Sequence, residues 1–505
     1  MEEKYDFVII GSGLGGLECA YILSKQGYSV CVLEKNRQFG GCLQIFSRDK
    51  IIFDTGVHYI GGLDPGQNLH AYFSYFGLMD NITYRKMDED GFDRISFGDN
   101  QKEYKHAMGH QRFMEELIKE FPKEKEGIKK YINKVHEICA HFPLYNLQVM
   151  KNGVDVSYLN VSAKAFIESC TSDLRLQNVL AGSNALYAGY ADKTPLYVHA
   201  LVINTYIESA YRCVDGGGQI TRQFERSLKS MGGTLINYAK VTSINVDNKK
   251  VTSVSLEDGR TIIGDNYISN IHPTQTMEMI DADKIRKTYR NRLLNLNNSI
   301  SIFTVHAVLK KNSFPYLNYN YYHHSQNEVW GSVNYEKKNW PENFAAFVPA
   351  DSASEEYASS MNIMSYMKYE ELIPWADTFH TVPKFRSERD ASYQDWKEEK
   401  AEKILDLVET KFPNFRSHIK NYYTSTPLSF RDYIGTSDGS LYGILKDYKD
   451  PLNTYISPKT KISNLFLTGQ NLNMHGMLGV TIGAVVTCSQ FVPMEELLKQ
   501  IKRAS

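Results

Sequence analysis

The residues best suited to chemistry stand near the start of the chain. Gly11, Gly13 and Gly16 form the spacing G-x-G-x-x-G directly after Asp6-Phe7-Val8-Ile9-Ile10, and Glu34 closes the next apolar run. The first glycine permits a tight turn, the second lets the backbone approach a pyrophosphate, and the third lets a helix pack close to a strand. Free N–H groups and a positive dipole end at the start of such a helix favour phosphate. Glu34 can accept hydrogen bonds from both ribose hydroxyls and would repel a 2′-phosphate, so the pattern predicts a site for FAD or NAD and not NADP. The elements needed to hold these residues are legible around them. Residues 6–10 read as a buried parallel strand, 17–26 as a helix stopped by Gly27, and 29–33 as a second strand, one complete βαβ unit.

Three further segments extend the pattern. A paired-glycine turn, Asn36-Arg37-Gln38-Phe39-Gly40-Gly41, follows Glu34 and is succeeded by Cys42. Next comes Phe53-Asp54-Thr55-Gly56-Val57-His58-Tyr59-Ile60-Gly61. Near the other end stands Asn464-Leu465-Phe466-Leu467-Thr468-Gly469-Gln470-Asn471, followed by Gly476, Gly479 and Gly483. These segments resemble the FAD-dependent phytoene desaturase, retinol saturase and carotenoid isomerase family of the flavin amine oxidase superfamily. Weaker motifs keep the same order between them: Phe121-Pro122-Lys123-Glu124, His199-Ala200, Gly217-Gly218, Ile268-Ser269-Asn270 with His272-Pro273, and Ser425-Thr426-Pro427-Leu428. The chain departs from the family at Cys42, where Arg is usual, and at Asn471, where Asp is common.

The resemblance implies an α/β fold with a discontinuous Rossmann-like FAD-binding domain (1–61, 206–271 and 426–505) and a mixed α+β substrate-binding domain (62–205 and 272–425). It implies FAD contacts from Gly11, Gly13, Leu14, Gly15, Gly16, Glu34, Lys35, Gly40, Gly41, Cys42, Gly56, Val57, His58, Gly469, Gln470, Asn471, Gly476 and Gly479, with backbone near Val241 at the adenine. Residues 220–231 read as a helix stopped by Gly232-Gly233, with strands at 234–236 and 240–246 and a β-meander over 250–270. In the substrate part, 114–138 is helical and charge-rich, 299–309 and 345–349 read as strands, and 397–411 as a surface-like helix. Gly216-Gly217-Gly218 follows no apolar strand and there is no second G-x-G-x-x-G, so a separate nicotinamide domain is not expected. NAD(P)H, as external reductant, would have to visit the substrate cavity.

Composition narrows the function classes. The 505 residues carry 57 basic and 58 acidic side chains, and a formal charge of -1 provides no global field for nucleic acid. Seven cysteines with no C-x-x-C argue for reduced thiols and against a disulfide reductase, and a chain that runs directly into its first strand predicts a cytoplasmic protein. Residues 477–488, interrupted by Gly479, Thr481, Gly483 and Thr487, read as a buried helix, so any membrane contact would be peripheral. His323 and His324 are adjacent on a strand and face opposite sides, which removes a metal site there.

The expected chemistry is saturation or desaturation of C=C bonds in an apolar polyene or isoprenoid-type substrate, by hydride transfer through flavin N5. A proton must accompany the hydride, and His58, Tyr59 and His475 are the candidate catalytic residues beside the flavin motifs. At His475 the helix start would lower the pKa. The 34 Tyr and 24 Phe suggest an aromatic tunnel, with Tyr316, Tyr319, Tyr321, Tyr322, Phe344 and Phe347 as its candidates. Three alternatives stand beside this reading: an amine oxidase, a non-redox polyene cis–trans isomerase using reduced FAD, and an idle flavin-binding protein.

Overall fold

The computed structural model describes residues 4–149, 155–380 and 389–505. Its first sheet has seven strands, in the order Thr234–Ile236, Val30–Leu33, Lys4–Ile10, Thr261–Ser269, Lys250–Leu256 and Val241–Asp247, with Leu465–Leu467 also pairing on Thr261–Ser269. The four central pairings, on Lys4–Ile10 and its neighbours, are parallel. Their strands are buried on both faces, as the continuous β-branched runs require. Register brings Ile10 opposite both Leu33 and Ser269, and Ser269 opposite Leu467. Four strands from three distant parts of the chain therefore end at one level. The next residues, Gly11, Glu34, Asn270 and the Thr468-Gly469 pair, emerge side by side at the carboxyl edge, where open α/β sheets bind ligands.

Helices cover this sheet closely. Leu14–Lys25 starts at the glycine turn and packs against Gly476–Cys488, and Gly218–Ser230 lies beside it. Gly27 (φ 89°) and Gly232 (φ 81°) end two of these helices in the left-handed region. The helix Gly476–Cys488 buries Leu478, Val480, Ala484 and Val485, so the apolar stretch near the C-terminus is core. Among the described residues no helix is long and apolar enough to cross a membrane.

A second seven-stranded sheet runs Ile419–Ser425, Ser301–Leu309, Ser360–Met367, Asn343–Phe347, Asn320–His324, Asp93–Phe97 and Glu103–His106. It is antiparallel except where Asn320–His324 lies parallel to Asp93–Phe97. Strand alternation gives it two buried faces. Tyr322, Ala345 and Phe347 belong to the core shared with the first sheet, while Tyr321, Phe344 and Ala346 pack into a second core under the helix Ala391–Glu409.

Several elements differ from their sequence-based limits. The helical stretch at 114–138 is two helices, His110–Glu120 and Lys125–Ala140, because Pro122 lacks an N–H and restricts Phe121 before it. The helix expected at 397–411 begins earlier, capped by Asp390, and buries Tyr393, Ala401, Ile404, Leu405 and Val408, so it is not a surface helix. A strand, Ala210–Cys213, does precede Gly216-Gly217-Gly218. It pairs antiparallel with Ile60–Gly61 and Tyr84–Lys86, outside the parallel sheet, so no second dinucleotide unit arises there.

Candidate functional site: a dinucleotide cradle opening into an aromatic cavity

One cavity of about 590 Å³ runs along the carboxyl edge of the first sheet to the facing side of the second. At its sheet-edge end, Gly11 has φ 92°, and a Cβ there would lie 2.9 Å from Ile271 Cγ2. A Cβ on Gly16 would be driven into the carbonyl oxygen of Gly11. Only glycine meets both demands, and the result is a backbone surface open to a phosphate chain. Asn270 braces it from below, since its N–H donates to Ile10 O (2.8 Å) and its side chain lies against Gly13, Gly15 and Gly469.

Glu34 is held from two directions. Its Oε2 accepts hydrogen bonds from the Ser12 N–H (3.1 Å) and the Ser12 hydroxyl (2.5 Å), and its Oε1 accepts from the Asn36 N–H (2.8 Å). These bonds fix the carboxylate at the cavity wall, beside Ala239 to Thr242. Lys35 also lines the cavity there; burial lowers its pKa, and its ammonium donates to Asp432 O at 2.9 Å.

Most of the predicted contact residues come together on this one cavity: Gly11, Gly13, Leu14, Gly15, Glu34, Lys35, Gly40, Gly41, Cys42, Gly56, Val57, His58, Val241, Gly469, Gln470, Asn471 and Gly476. Gly16 and Gly479 do not line it. They are close-packing positions, the first under Gly11 and the second against Met474. Asn471 spends its Oδ1 on the Ile444 N–H at 3.1 Å and sits where any side chain at 443 would collide with it. Its amide thus ties the 443–444 loop to the cradle. Burial pushes the Cys42 thiol up to about 11, so no thiolate stands at that turn. Asp54 lies behind the turn and accepts from the Gly217 N–H at 2.7 Å.

The three candidate proton donors occupy different places. Tyr59 lines the cavity, and its hydroxyl lies 2.8 Å from that of Tyr322 and 3.1 Å from Asp93 Oδ2. His58 also lines it, stacked on Phe347 at 4.8 Å, and its Nε2 is buried with no protein partner. Burial lowers its pKa to about 3, so the ring is neutral. His475 does not line the cavity. Its ring packs on Tyr442 at 4.3 Å and its Nε2 hydrogen-bonds Leu186 O at 3.1 Å. Its pKa is lowered to about 4 chiefly by burial, where the sequence had suggested the helix start.

At the second-sheet end the wall is Tyr322, Ala345, Phe347, Met364 and Tyr366, completed by Tyr206 and Tyr442. Of the six tunnel candidates, Tyr322 and Phe347 line it. Tyr321 and Phe344 face the opposite core, Tyr316 lies against Arg85 and Arg212, and Tyr319 against Arg94. His323 and His324 diverge as expected, one to Ser96 Oγ and the other to Gly182 O. The sequence does not single out Ser12, Tyr206, Tyr366 and Tyr442 as site residues, and the Ile268-Ser269-Asn270 motif by itself gives Asn270 no role.

The cradle fits a flavin dinucleotide: open glycine backbone for the pyrophosphate, an anchored acid for the ribose, and an apolar chamber beyond it for a ring. His58 and Tyr366 line that chamber, while His58 Nε2 and the Tyr366 hydroxyl are themselves buried without a protein partner.

Comparisons with known proteins agree with this geometry. A family model described as an NAD(P)-binding Rossmann-like domain matches residues 9–76. All-trans-retinol 13,14-reductase of Danio rerio is 26% identical, over 97% of this chain and 86% of its own. The chloroplastic prolycopene isomerase of Daucus carota is 24% identical, over 98% of this chain and 81% of its own. The chain is thus similar over nearly its whole length to a retinol 13,14-reductase and to a prolycopene isomerase. Its fold is shared with a triple mutant of putrescine oxidase, at TM-score 0.65 and 14% identity over 99% of each chain. Together with the cradle, these findings make the chain an oxidoreductase built on a flavin-type dinucleotide site.

Proposed function

We propose that this protein is an FAD-dependent oxidoreductase that saturates or desaturates C=C bonds of an apolar polyene or isoprenoid-type substrate. The observation that carries this reading is the continuity of the cavity, which passes from the Glu34 cradle to the wall of Tyr322, Ala345, Phe347 and Met364 without an intervening partition. A polyene offers no polar handle at the reacting bond, so its binding must come from such a wall. Bound FAD supplies hydride exchange at N5. The chain's own part is to hold the pyrophosphate on Gly11 to Gly15, the ribose on Glu34 and the substrate against Phe347, and to keep water out. We assign substrate binding to 62–205 and 272–425, which supply Leu186, Tyr322 and Phe347. The named relatives act on a retinol and on prolycopene, which supports the substrate class.

The amine-oxidase reading is less well supported. The two lysines on the cavity, Lys35 and Lys240, stand at the Glu34 end, away from the aromatic wall. The isomerase relatives keep a second reading open, cis–trans isomerisation with reduced FAD. Anaerobic reduction by NADH, NADPH or dithionite, followed by incubation with polyenes and mass analysis, separates them. Saturation adds two hydrogens, isomerisation leaves the mass unchanged, and amines would bleach the oxidised flavin only in an amine oxidase. Reduction by a nicotinamide would support NAD(P)H as the external donor. Purified protein without flavin absorbance would remove the basis of all three. Peripheral membrane contact, for collecting an apolar substrate, is tested by liposome flotation; protein that stays wholly in the soluble fraction counts against it.

A further inference from the structure

Three acid groups stand in a row through the cavity wall. Asp93, on the strand Asp93–Phe97, is buried and does not face the cavity. Its Oδ2 is 3.1 Å from the Tyr59 hydroxyl, which is 2.8 Å from the Tyr322 hydroxyl, and both tyrosines line the cavity. The other carboxyl oxygen, Oδ1, accepts from Asn320 Nδ2 at 2.8 Å. That amide cannot turn over, because its Oδ1 accepts from Arg212 Nη2 at 2.9 Å. Asn320 thus reserves Oδ1 as an acceptor and leaves Oδ2, the oxygen facing Tyr59, to carry a proton.

The direction of the row follows from that proton. With Asp93 ionised, Tyr59 donates to it, Tyr322 donates to Tyr59, and no hydrogen points at the cavity. With Asp93 protonated, the carboxyl donates to Tyr59, Tyr59 donates to Tyr322, and the hydrogen of Tyr322, a residue that lines the cavity, is left without an acceptor in the row. We infer that Asp93, Tyr59 and Tyr322 form a proton-delivery row, with Tyr322 as the group that protonates the substrate carbon. This rests on the C=C oxidoreductase reading above. In the saturating direction one C=C π bond breaks. Hydride taken from reduced flavin forms one C–H bond, and the Tyr322 O–H bond breaks to form the other. Tyr59 reprotonates Tyr322 and Asp93 reprotonates Tyr59, leaving a carboxylate that solvent reprotonates once product has gone. In the desaturating direction the row accepts the proton.

The surroundings suit the task. Burial pushes the Asp93 carboxyl up to about 7, opposed by hydrogen bonds from Asn320 and Tyr59 and by the Arg212 charge. The groups around it are the phenols of Tyr59, Tyr206 and Tyr322, the Arg212 guanidinium behind Asn320, and His106, its register partner, whose ring is bonded to Val179 O.

Infrared spectroscopy of the flavin-loaded protein between pH 5 and 9 reads this row without turnover. The expected result, in the difference between wild type and Asp93→Asn that removes Asp54 and Glu208, is a protonated-carboxyl band that titrates near pH 7 and shifts in Tyr59→Phe. In single turnover in D2O, Tyr322→Phe should incorporate deuterium about 100-fold more slowly with its flavin spectrum unchanged. Tyr59→Phe should lose the pH dependence near 7. An Asp93 already ionised at pH 5, or a Tyr322→Phe protein that incorporates deuterium at the wild-type rate, overturns the proposal. Failure of the C=C reading itself would also overturn it but looks different, with substrate mass unchanged while the carboxyl band still titrates. Each tyrosine variant removes one oxygen, so the test survives an Asp93→Asn protein that fails to fold.

Discussion

Glu34 accepts three hydrogen bonds before any ligand arrives, from the Ser12 N–H, the Ser12 hydroxyl and the Asn36 N–H. A carboxylate fixed in this way has lost its rotamer entropy in advance and can spend its remaining lone pair, on Oε1, on ribose. Glu34→Ala should therefore weaken FAD binding about 10- to 100-fold, since a charge-assisted hydrogen bond contributes about 1.5–3 kcal/mol. Titrating the apoprotein with FAD and following flavin fluorescence measures this; unchanged affinity would place the ribose elsewhere. Gly16 is limiting in a different way. Gly16→Ala forces a methyl into the Gly11 carbonyl oxygen, so the helix start must move away from the turn. The expected outcome is protein purified with little or no bound flavin, read from its visible absorbance.

The elements around the cavity are tied by buried charge. The helix Pro427–Ile434 carries Phe430, Tyr433 and Ile434 to the cavity, and its Asp432 is paired with Arg389 (2.5 Å) and Arg431 (2.7 Å), all three side chains buried. Arg431 also donates to the carbonyl oxygens of Ala376 and Thr378, so one side chain pins this helix to the segment before it. Asp432→Ala leaves two buried guanidiniums without their carboxylate and should cost about 3–5 kcal/mol, measured by denaturant unfolding.

The turn before Gly218–Ser230 depends on Asp54, which burial pushes up to about 7, against an ordinary value near 3.9 in an unfolded chain. Folded protein then holds a proton that unfolded protein releases between those values. The Asp54 contribution to stability is present below about pH 4 and is lost as pH rises toward 7. Thermal midpoints of wild type and Asp54→Asn should diverge across that window, the wild type losing stability relative to the variant as pH rises. Parallel curves would mean that Asp54 is ionised throughout.

Across the whole molecule, two sheets share one cavity, and the charge balance of 57 basic to 58 acidic residues provides no long-range field. An apolar substrate entering such a protein is not steered electrostatically. kcat/KM should change less than about twofold between 50 and 300 mM salt, because screening acts only on charge that contributes to encounter. A steep fall would indicate an anionic substrate or a charged surface partner.

The motifs at each end of the chain determined the cradle, because a phosphate-binding turn depends on local backbone freedom and on short spacings that sequence states directly. Gly11, Gly13, Glu34 and the paired glycines needed no tertiary knowledge to be found. Helix stops at Gly27 and Gly232 were legible for the same reason. What the sequence could not decide was which side of a strand meets the cavity. Alternation allowed either Tyr321 or Tyr322, either Phe344 or Phe347, to face the substrate, and only the packing of the second sheet against the first chose Tyr322 and Phe347. Asp93 was invisible as a candidate because its nearest acid partner, Tyr59, lies 34 positions away and meets it only through the packing of two different sheets. Local chemistry sets the cofactor cradle in this protein, and strand register and burial, which depend on the whole chain, set the substrate wall and its source of protons.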